Sequence, residues 1–216
     1  MKQDTGVLRE AYSNHRYRIL FFTLLASLVA LPAVRPLGLG SSVVEGFLAA
    51  NLVAAVFAFG EGRLRRFAFV ALFIALVARP GAALFHVAAV SVGSLAVWGV
   101  LALLAAAGAL RFALQGQSVG AEQMFAALSA YVLGGLFFGL LYWVMGQFTP
   151  GSIVEGGAPV PSVFTAIYFS FVTLASLGYG DVLPVSDPAR GLAVIEAVGG
   201  QLYLAVMVAR LVSAWR

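Results

Sequence analysis

The sequence predicts an all-α membrane protein with six transmembrane helices and a short re-entrant helix before the last of them. Of the 216 residues, 62% are hydrophobic and only 10% are charged, whereas a soluble domain is nearer half apolar and a quarter charged. The apolar residues are also grouped into runs, and about 20 apolar residues of helix cross a hydrocarbon core. Composition and grouping together indicate an integral membrane protein.

The charge and the cysteine count exclude several other classes. The net charge of +4 does not indicate nucleic-acid binding, because basic residues at helix ends are usual in membrane proteins. The chain contains no cysteine, which excludes disulfides and thiolate metal sites. It has neither an HExxH motif nor paired aspartates on a helix, so we do not expect an enzyme.

The first apolar run covers residues 19–34 and follows a polar segment, residues 1–15. Its ALPAV stretch resembles the cleavage region of a signal peptide. The long preceding segment with Asp4 and Glu10 favours a retained span and a cytoplasmic N-terminus instead.

Three further runs complete a predicted four-helix membrane domain, residues 16–115. The second run covers residues 41–60, the third covers 67–78, and the fourth lies within 83–112. Arg79-Pro80-Gly81 follows the third run, and we expect it to end that helix because Pro and Gly interrupt helices.

The remaining part, residues 116–216, is predicted to hold two full spans with a loop between them. The spans cover residues 121–148 and 189–215. Residues 148–161 are rich in Gly and Pro and predict a loop. Residues 162–174 are apolar but too short to cross a core of about 30 Å, which indicates a re-entrant helix.

The basic residues predict the orientation. Six crossings place both termini on one side, and the positive-inside rule makes the richer side cytoplasmic. Ten basic residues fall on the side of the termini and three on the other: Lys2, Arg9, Arg16, Arg18, Arg63, Arg65, Arg66, Arg111, Arg210 and Arg216 against Arg35, Arg79 and Arg190. Both termini are therefore predicted to be cytoplasmic.

The stretch TLASLGYGD, residues 173–181, follows the short helix. Irregular backbone cannot face lipid, because each unpaired N–H or C=O group would cost several kcal/mol. Glycines adopt backbone angles that other residues avoid, so alternating glycines can turn successive carbonyls the same way. A row of such carbonyls can replace the hydration shell of a monovalent cation.

Residues 168–181, YFSFVTLASLGYGD, resemble the pore helix and selectivity filter of tetrameric potassium channels. The likeness extends over residues 162–215 and includes Leu183-Pro184, whereas the first four spans resemble the family only in number and hydropathy. The resemblance implies a homotetramer with C4 symmetry in the lipids of the cell membrane. It also implies passive conduction of K⁺, with K⁺ as the permeant ion and no cofactor.

Carried onto this chain, the resemblance implies ion binding by the Ser176 hydroxyl and by the carbonyls of Ser176, Leu177, Gly178, Tyr179 and Gly180. The sequence departs from the family pattern TTVGYG, since Ala175-Ser176-Leu177 stands where Thr-Thr-Val is usual. This departure leaves two alternatives open, a poorly selective cation channel and a non-conducting scaffold or regulatory subunit.

Four residues are predicted to support the filter: Thr173, Tyr168, Phe169 and Asp181. The resemblance implies that the two aromatic residues form a cuff around Tyr179, and the alternative is that they are ordinary core residues. We expect Asp181 to accept a hydrogen bond from Tyr168 or from backbone N–H groups, or to cap a turn.

The last span carries a candidate hinge, Gly199-Gly200, which could instead serve close packing. Residues one turn apart would line the cavity below the filter, and the two valines could gate it. These residues are Gln201, Leu204, Val208 and Val212. In the fifth span, Gly135 and Gly139 form a GxxxG motif that predicts tight packing of the outer helix on the inner helix.

Two intramembrane carboxylates stand out, because such groups are usually functional. Glu45 is expected to pair with a polar group of a neighbouring span, and Glu196 with the pore helix or Arg190. A voltage sensor needs an arginine at every third position of the fourth span, which holds only Arg111, so we expect weak or no voltage dependence. Since the chain ends at Arg216, we also expect no cytoplasmic ligand-binding domain.

Overall fold

The computed structural model describes residues 15–30, 41–58, 63–84, 88–115, 120–160 and 162–213. These residues are mostly helical, as predicted, and they include one small sheet whose strands lie before and after the helix Val163–Leu174 in the chain. The helices are α1 (15–30), α2 (Ser41–Ala58), α3 (Arg63–Leu84), α4 (Ala88–Leu114), α5 (Ala121–Phe148), α6 (Val163–Leu174) and α7 (Asp187–Ser213). The strands are β1 (Ile153–Glu155), β2 (Ala158–Pro159) and β3 (Val182–Pro184).

Three helices in the described ranges are long and apolar enough to cross a membrane: Val92–Leu114, Ala121–Phe148 and Asp187–Arg210. Gly46–Ala58 and Val163–Leu174 are apolar but shorter. The chain is therefore a multi-pass membrane protein. The length of α6 agrees with a helix that enters the membrane without crossing it.

Helix α3 corrects one prediction. It begins at Arg63 and continues to Leu84, so Arg79-Pro80-Gly81 does not end it. A proline removes one backbone hydrogen bond from a helix interior, and membrane helices tolerate that loss because neighbouring groups satisfy the freed carbonyl. Pro and Gly are therefore a weaker signal of a helix end in a membrane helix than in a soluble one.

The segment between α5 and α6 corrects another prediction, because the expected loop contains two strands. Strand β1 pairs antiparallel with β2 and with β3, in the order β2-β1-β3. The tight turn between β1 and β2 is made by Gly156 and Gly157, whose φ angles are 59° and 85°. Pairing of Ile153 with Pro184 joins the chain before α6 to the chain after TLASLGYGD, so both ends of the segment that contains α6 are held.

Two apolar clusters form the core. The larger one extends through α1 to α5 and includes Trp98, Leu133 and Leu140, which are all nearly fully buried. The smaller one joins α5, the sheet, α6 and the start of α7 through side chains that include Tyr142 and Phe169. This second cluster supports the region around residues 175–181.

Candidate ion-binding site

Helix α6 carries the candidate site at its C-terminal end. Ser162 caps its start, because the Ser162 side chain accepts a hydrogen bond from the Thr165 N–H at 3.2 Å, as N-cap serines commonly do. The helix is rich in β-branched and aromatic residues, which have modest helix propensity. Burial of Ala166, Ile167 and Phe169 therefore stabilises it more than local preference does.

The end of α6 is closed by a Schellman motif. The Leu177 N–H donates to the Val172 carbonyl at 2.8 Å, and the Ser176 N–H donates to the Thr173 carbonyl at 2.9 Å. Ser176 has φ of 56° and occupies the left-handed position that glycine usually takes in this motif. Left-handed backbone costs a non-glycine residue about 1–2 kcal/mol. The motif could not be predicted from the sequence, because its usual glycine is absent.

Residues 176–180 alternate in backbone handedness. The φ angles of Ser176, Gly178 and Gly180 are 56°, 60° and 81°, whereas Leu177 and Tyr179 stay outside the positive-φ region. Such alternation turns successive peptide carbonyls to one side, the arrangement that coordinates a dehydrated cation. All five residues are exposed in the single chain. This stretch of backbone is therefore not covered by the rest of the single chain.

Asp181 follows Gly180 and contacts α6 through Tyr168. The Tyr168 hydroxyl donates to Asp181 Oδ2 at 2.7 Å, which confirms the predicted hydrogen bond. That bond raises the pKa of the Tyr168 phenol to about 12, so the phenol stays a donor at neutral pH. Phe169 is buried and packs edge-on against Tyr142, with ring centroids 4.9 Å apart, which supports the core interpretation for Phe169. Tyr179 is 66% exposed in the single chain.

Helix α7 approaches the other end of the stretch. Gln201 Nε2 donates to Ser176 Oγ at 3.0 Å, so the structure brings a predicted cavity residue to the first predicted filter residue. Leu204, Val208 and Val212 lie further along α7 and are exposed. Their role in a cavity or gate stays a prediction.

Gly200 allows α7 to approach the end of α6. A Cβ atom at Gly200 would lie 2.5 Å from the Leu174 carbonyl oxygen, whereas one at Gly199 would meet nothing within 4 Å. This contrast favours the packing interpretation for Gly200. A hinge at Gly199-Gly200 stays a prediction.

The GxxxG motif of α5 corrects a third prediction, because it faces the pore helix and not the inner helix. A Cβ atom at Gly135 would lie 2.6 Å from Phe171 Cε1, and one at Gly139 would lie 2.7 Å from Ile167 Cα. Helix α6 lies between α5 and α7 at this level. Nearer the start of α5, the Tyr203 hydroxyl of α7 donates to the Ala127 carbonyl at 2.5 Å.

Glu196 is bonded to the pore helix, as predicted. Its Oε1 lies 2.5 Å from Ser170 Oγ, and its Oε2 accepts from the Tyr142 hydroxyl at 2.8 Å. Arg190, the alternative partner, lies instead near the Asp187 carboxylate at 3.7 Å. The predicted pairing of Glu45 concerns a side chain outside the described residues.

Residues 125–216 match the family model Ion_trans_2, described as "Ion channel". The chain is 31% identical to the two pore potassium channel c of Oryza sativa subsp. japonica, over 39% of this chain and 19% of that protein. It is 34% identical to the inward rectifier potassium channel Kirbac3.1 of Paramagnetospirillum magnetotacticum, over 35% of this chain and 24% of that protein. It is 43% identical to the voltage-gated potassium channel Kch of Escherichia coli strain K12, over 21% of this chain and 11% of that protein.

No solved structure matches the chain. The chain matches at most about a quarter of the length of these three relatives, so the likeness concerns one segment of each of them. The matched segment contains α5, the sheet, α6, the alternating stretch and α7. Residues 125–216 thus resemble the ion channel family, and the likeness of this segment indicates a channel rather than an enzyme.

Proposed function

We propose that four copies of this chain form a potassium-selective channel that conducts K⁺ passively down its gradient. The carbonyls of residues 176–180 replace the water around K⁺, and the Ser176 hydroxyl contributes to the innermost site. The observation that carries this proposal is the alternation of positive and negative φ from Ser176 to Gly180. No cofactor is needed.

The proposed tetramer with C4 symmetry is supported by two features of the chain. One chain supplies one carbonyl row, and a closed ring around an axis needs four. The exposure of α7 supports such an assembly: only 11% of its membrane-crossing stretch is buried in the single chain, against 50% for α5. Several large apolar side chains on α7 are more than half exposed: Val194, Ile195, Val198 and Leu202.

The end of the pore helix supplies further stabilisation of a cation. Helix α6 ends at Leu174, and the C-terminal end of a helix carries partial negative charge. The Tyr131 hydroxyl donates to the Leu174 carbonyl at 3.3 Å, which fixes the direction of that carbonyl. In the tetramer, four such ends point toward the cavity below the filter.

The proposed setting is the cell membrane, with six crossings per chain and both termini in the cytoplasm. Voltage dependence is weak or absent, since Arg111 is the basic residue that α4 carries and a sensor needs several in series.

A potassium flux assay tests the proposal. The purified chain is reconstituted into liposomes, and the flux of K⁺ is compared with that of Na⁺ under the same gradient. Flux of K⁺ with little Na⁺ flux is expected. A permeability ratio near one would favour a poorly selective cation channel, which the left-handed serine at the first site motivates. Absence of flux from a tetramer that lacks ion density in a K⁺-containing map would favour a scaffold.

A further inference from the structure

A buried polar cluster joins three helices behind the filter. Glu196 on α7, Ser170 on α6 and Tyr142 on α5 are all fully buried, with 0% of each residue exposed. Because the burial is complete within one chain, the cluster does not depend on contacts between subunits. Every carboxylate oxygen of Glu196 has a hydrogen-bond partner.

The hydrogens in this cluster can be counted. Ser170 Oγ lies 2.7 Å from the Gly135 carbonyl oxygen and 2.5 Å from Glu196 Oε1. The carbonyl can only accept, so the single hydroxyl hydrogen of Ser170 goes to Gly135. The hydrogen between Ser170 and Glu196 must then belong to the carboxyl group. The Tyr142 hydroxyl supplies the hydrogen of its own contact with Oε2. Each of the three contacts, Ser170 with Gly135, Glu196 with Ser170 and Tyr142 with Glu196, then has one hydrogen.

An ionised Glu196 would leave one of these contacts without a hydrogen, and it would also lack a counter-charge among the residues that the structure describes. The titratable groups near it on α5 are the phenols of Tyr142 and Tyr131. Among the described residues of α6, Ser170 is its polar neighbour. On α7 itself, Arg190 lies at the exposed end, where it binds the Pro184 carbonyl. A buried carboxylate with no cation is strongly disfavoured.

We propose that Glu196 is a positioning residue that is held as a neutral acid and relays a hydrogen bond from α7 through α6 to α5. The inference rests on the proposed channel function. Ser170 lies two residues before Val172, whose carbonyl begins the Schellman motif that holds Ser176 and Leu177. Fixing Ser170 against both neighbouring helices therefore fixes where the filter begins.

Infrared spectroscopy of the reconstituted tetramer tests the protonation state without requiring conduction. The carbonyl stretch of a buried protonated carboxylic acid should be present at neutral pH and should be missing from Glu196→Gln. If the Glu196→Gln difference spectrum shows loss of a carboxylate band instead, the proposal is wrong. Either result leaves the channel function untouched.

Two variants test the positioning role by the K⁺/Na⁺ permeability ratio. Glutamine keeps the shape of the neutral acid and can donate to Ser170 while it accepts from Tyr142, so Glu196→Gln should stay within about twofold of the parent ratio. Glu196→Ala leaves the Tyr142 hydroxyl without an acceptor and should lower the ratio about tenfold. Equal losses in both variants would overturn the proposal, as would an unchanged ratio in Glu196→Ala.

A pH series separates positioning from simple core packing. The ratio of the parent protein should fall as alkaline pH ionises Glu196 and removes the hydrogen that it gives to Ser170. Glu196→Gln has no proton to lose there and should keep its ratio over the same pH range. A fall of equal size in both proteins would mean that another group titrates.

Discussion

The described residues of the pore region, 125–160 and 162–213, and the helices before them, α1 to α4, are held together differently. In the pore region, side-chain hydrogen bonds join helices at defined atoms, as Gln201 does at Ser176, and glycines remove the Cβ atoms that would separate backbones. The earlier helices pack mainly through buried Ala and Leu, with a polar link from Asn51 Nδ2 to Ser27 Oγ at 2.8 Å.

The difference teaches where sequence changes should matter. Directional contacts and missing Cβ atoms restrict where the backbone next to residues 176–180 can lie, whereas apolar packing tolerates volume-conserving exchanges. Substitutions in the pore region should therefore alter conduction, and comparable substitutions in the earlier helices should alter stability at most.

The largest expected effect is that of Gly178→Ala. Gly178 has φ of 60°, and alanine resists this conformation by about 1–2 kcal/mol in each of four subunits. Nothing lies within 4 Å of the added Cβ in the single chain, so the chain should still fold while its carbonyl row is disturbed. K⁺ flux into liposomes should be abolished, with the tetramer intact by size-exclusion chromatography. Full flux in this variant would contradict the assignment of the filter.

The next effect concerns the contact between α5 and the pore helix. Gly139→Ala would push a Cβ atom to 2.7 Å from Ile167 Cα, and a backbone neighbour cannot move aside cheaply. Overpacking of this kind costs about 1–3 kcal/mol. The thermal unfolding midpoint of the protein should fall accordingly.

Gly146→Ala on the same helix is the matched control for Gly139→Ala. Its Cβ would meet nothing within 4 Å, and alanine favours a helix over glycine by about 1 kcal/mol. The control should therefore match or exceed the parent in stability. Equal losses in both variants would show that the close approach to Ile167 is not what matters.

The sequence predicted the helices of the pore region better than the contacts that hold them together. The bounds of α5, the short pore helix and the Tyr168–Asp181 hydrogen bond were all anticipated, because a span length and a local motif carry them. The helix that packs against the GxxxG motif was not anticipated. The spacing of small residues predicts that a helix packs closely there, but it does not say which helix. Nor was the Gln201–Ser176 contact, which joins residues 25 positions apart.

A moderate effect is expected from Gln201→Leu. Leucine keeps much of the volume but removes the donor to the Ser176 hydroxyl, and a single hydrogen bond contributes about 1 kcal/mol. The K⁺/Na⁺ permeability ratio should change about fivefold. In a double-mutant cycle with Ser176→Ala, the two effects should be less than additive, because both remove the same contact. Strict additivity would mean that the contact does not operate in the channel.

A smaller effect is expected from Tyr168→Phe, which removes the donor to Asp181 at the partly exposed outer end. Its cost should be below about 1 kcal/mol, read as a slight drop in the unfolding midpoint. The pKa of Tyr168 is raised from 10.0 to about 12, so the hydrogen bond is fully present below pH 10.0 and is lost as pH rises through the raised value. The difference between parent and variant should thus be constant throughout the neutral range. A difference that changes near pH 7 would assign the effect to another group.

The smallest effect should come from the earlier helices, where Asn51→Leu removes the link to Ser27. Hydrogen bonds between membrane helices average about 0.6 kcal/mol. Part of this loss is offset, because Asn51 Oδ1 is buried without a hydrogen-bond partner among the described residues and leucine removes that unsatisfied atom. The unfolding midpoint should barely move and the K⁺/Na⁺ permeability ratio should be unchanged. A changed ratio would show that the earlier helices act on the filter. The expectation that substitutions in those helices alter stability at most would then be wrong.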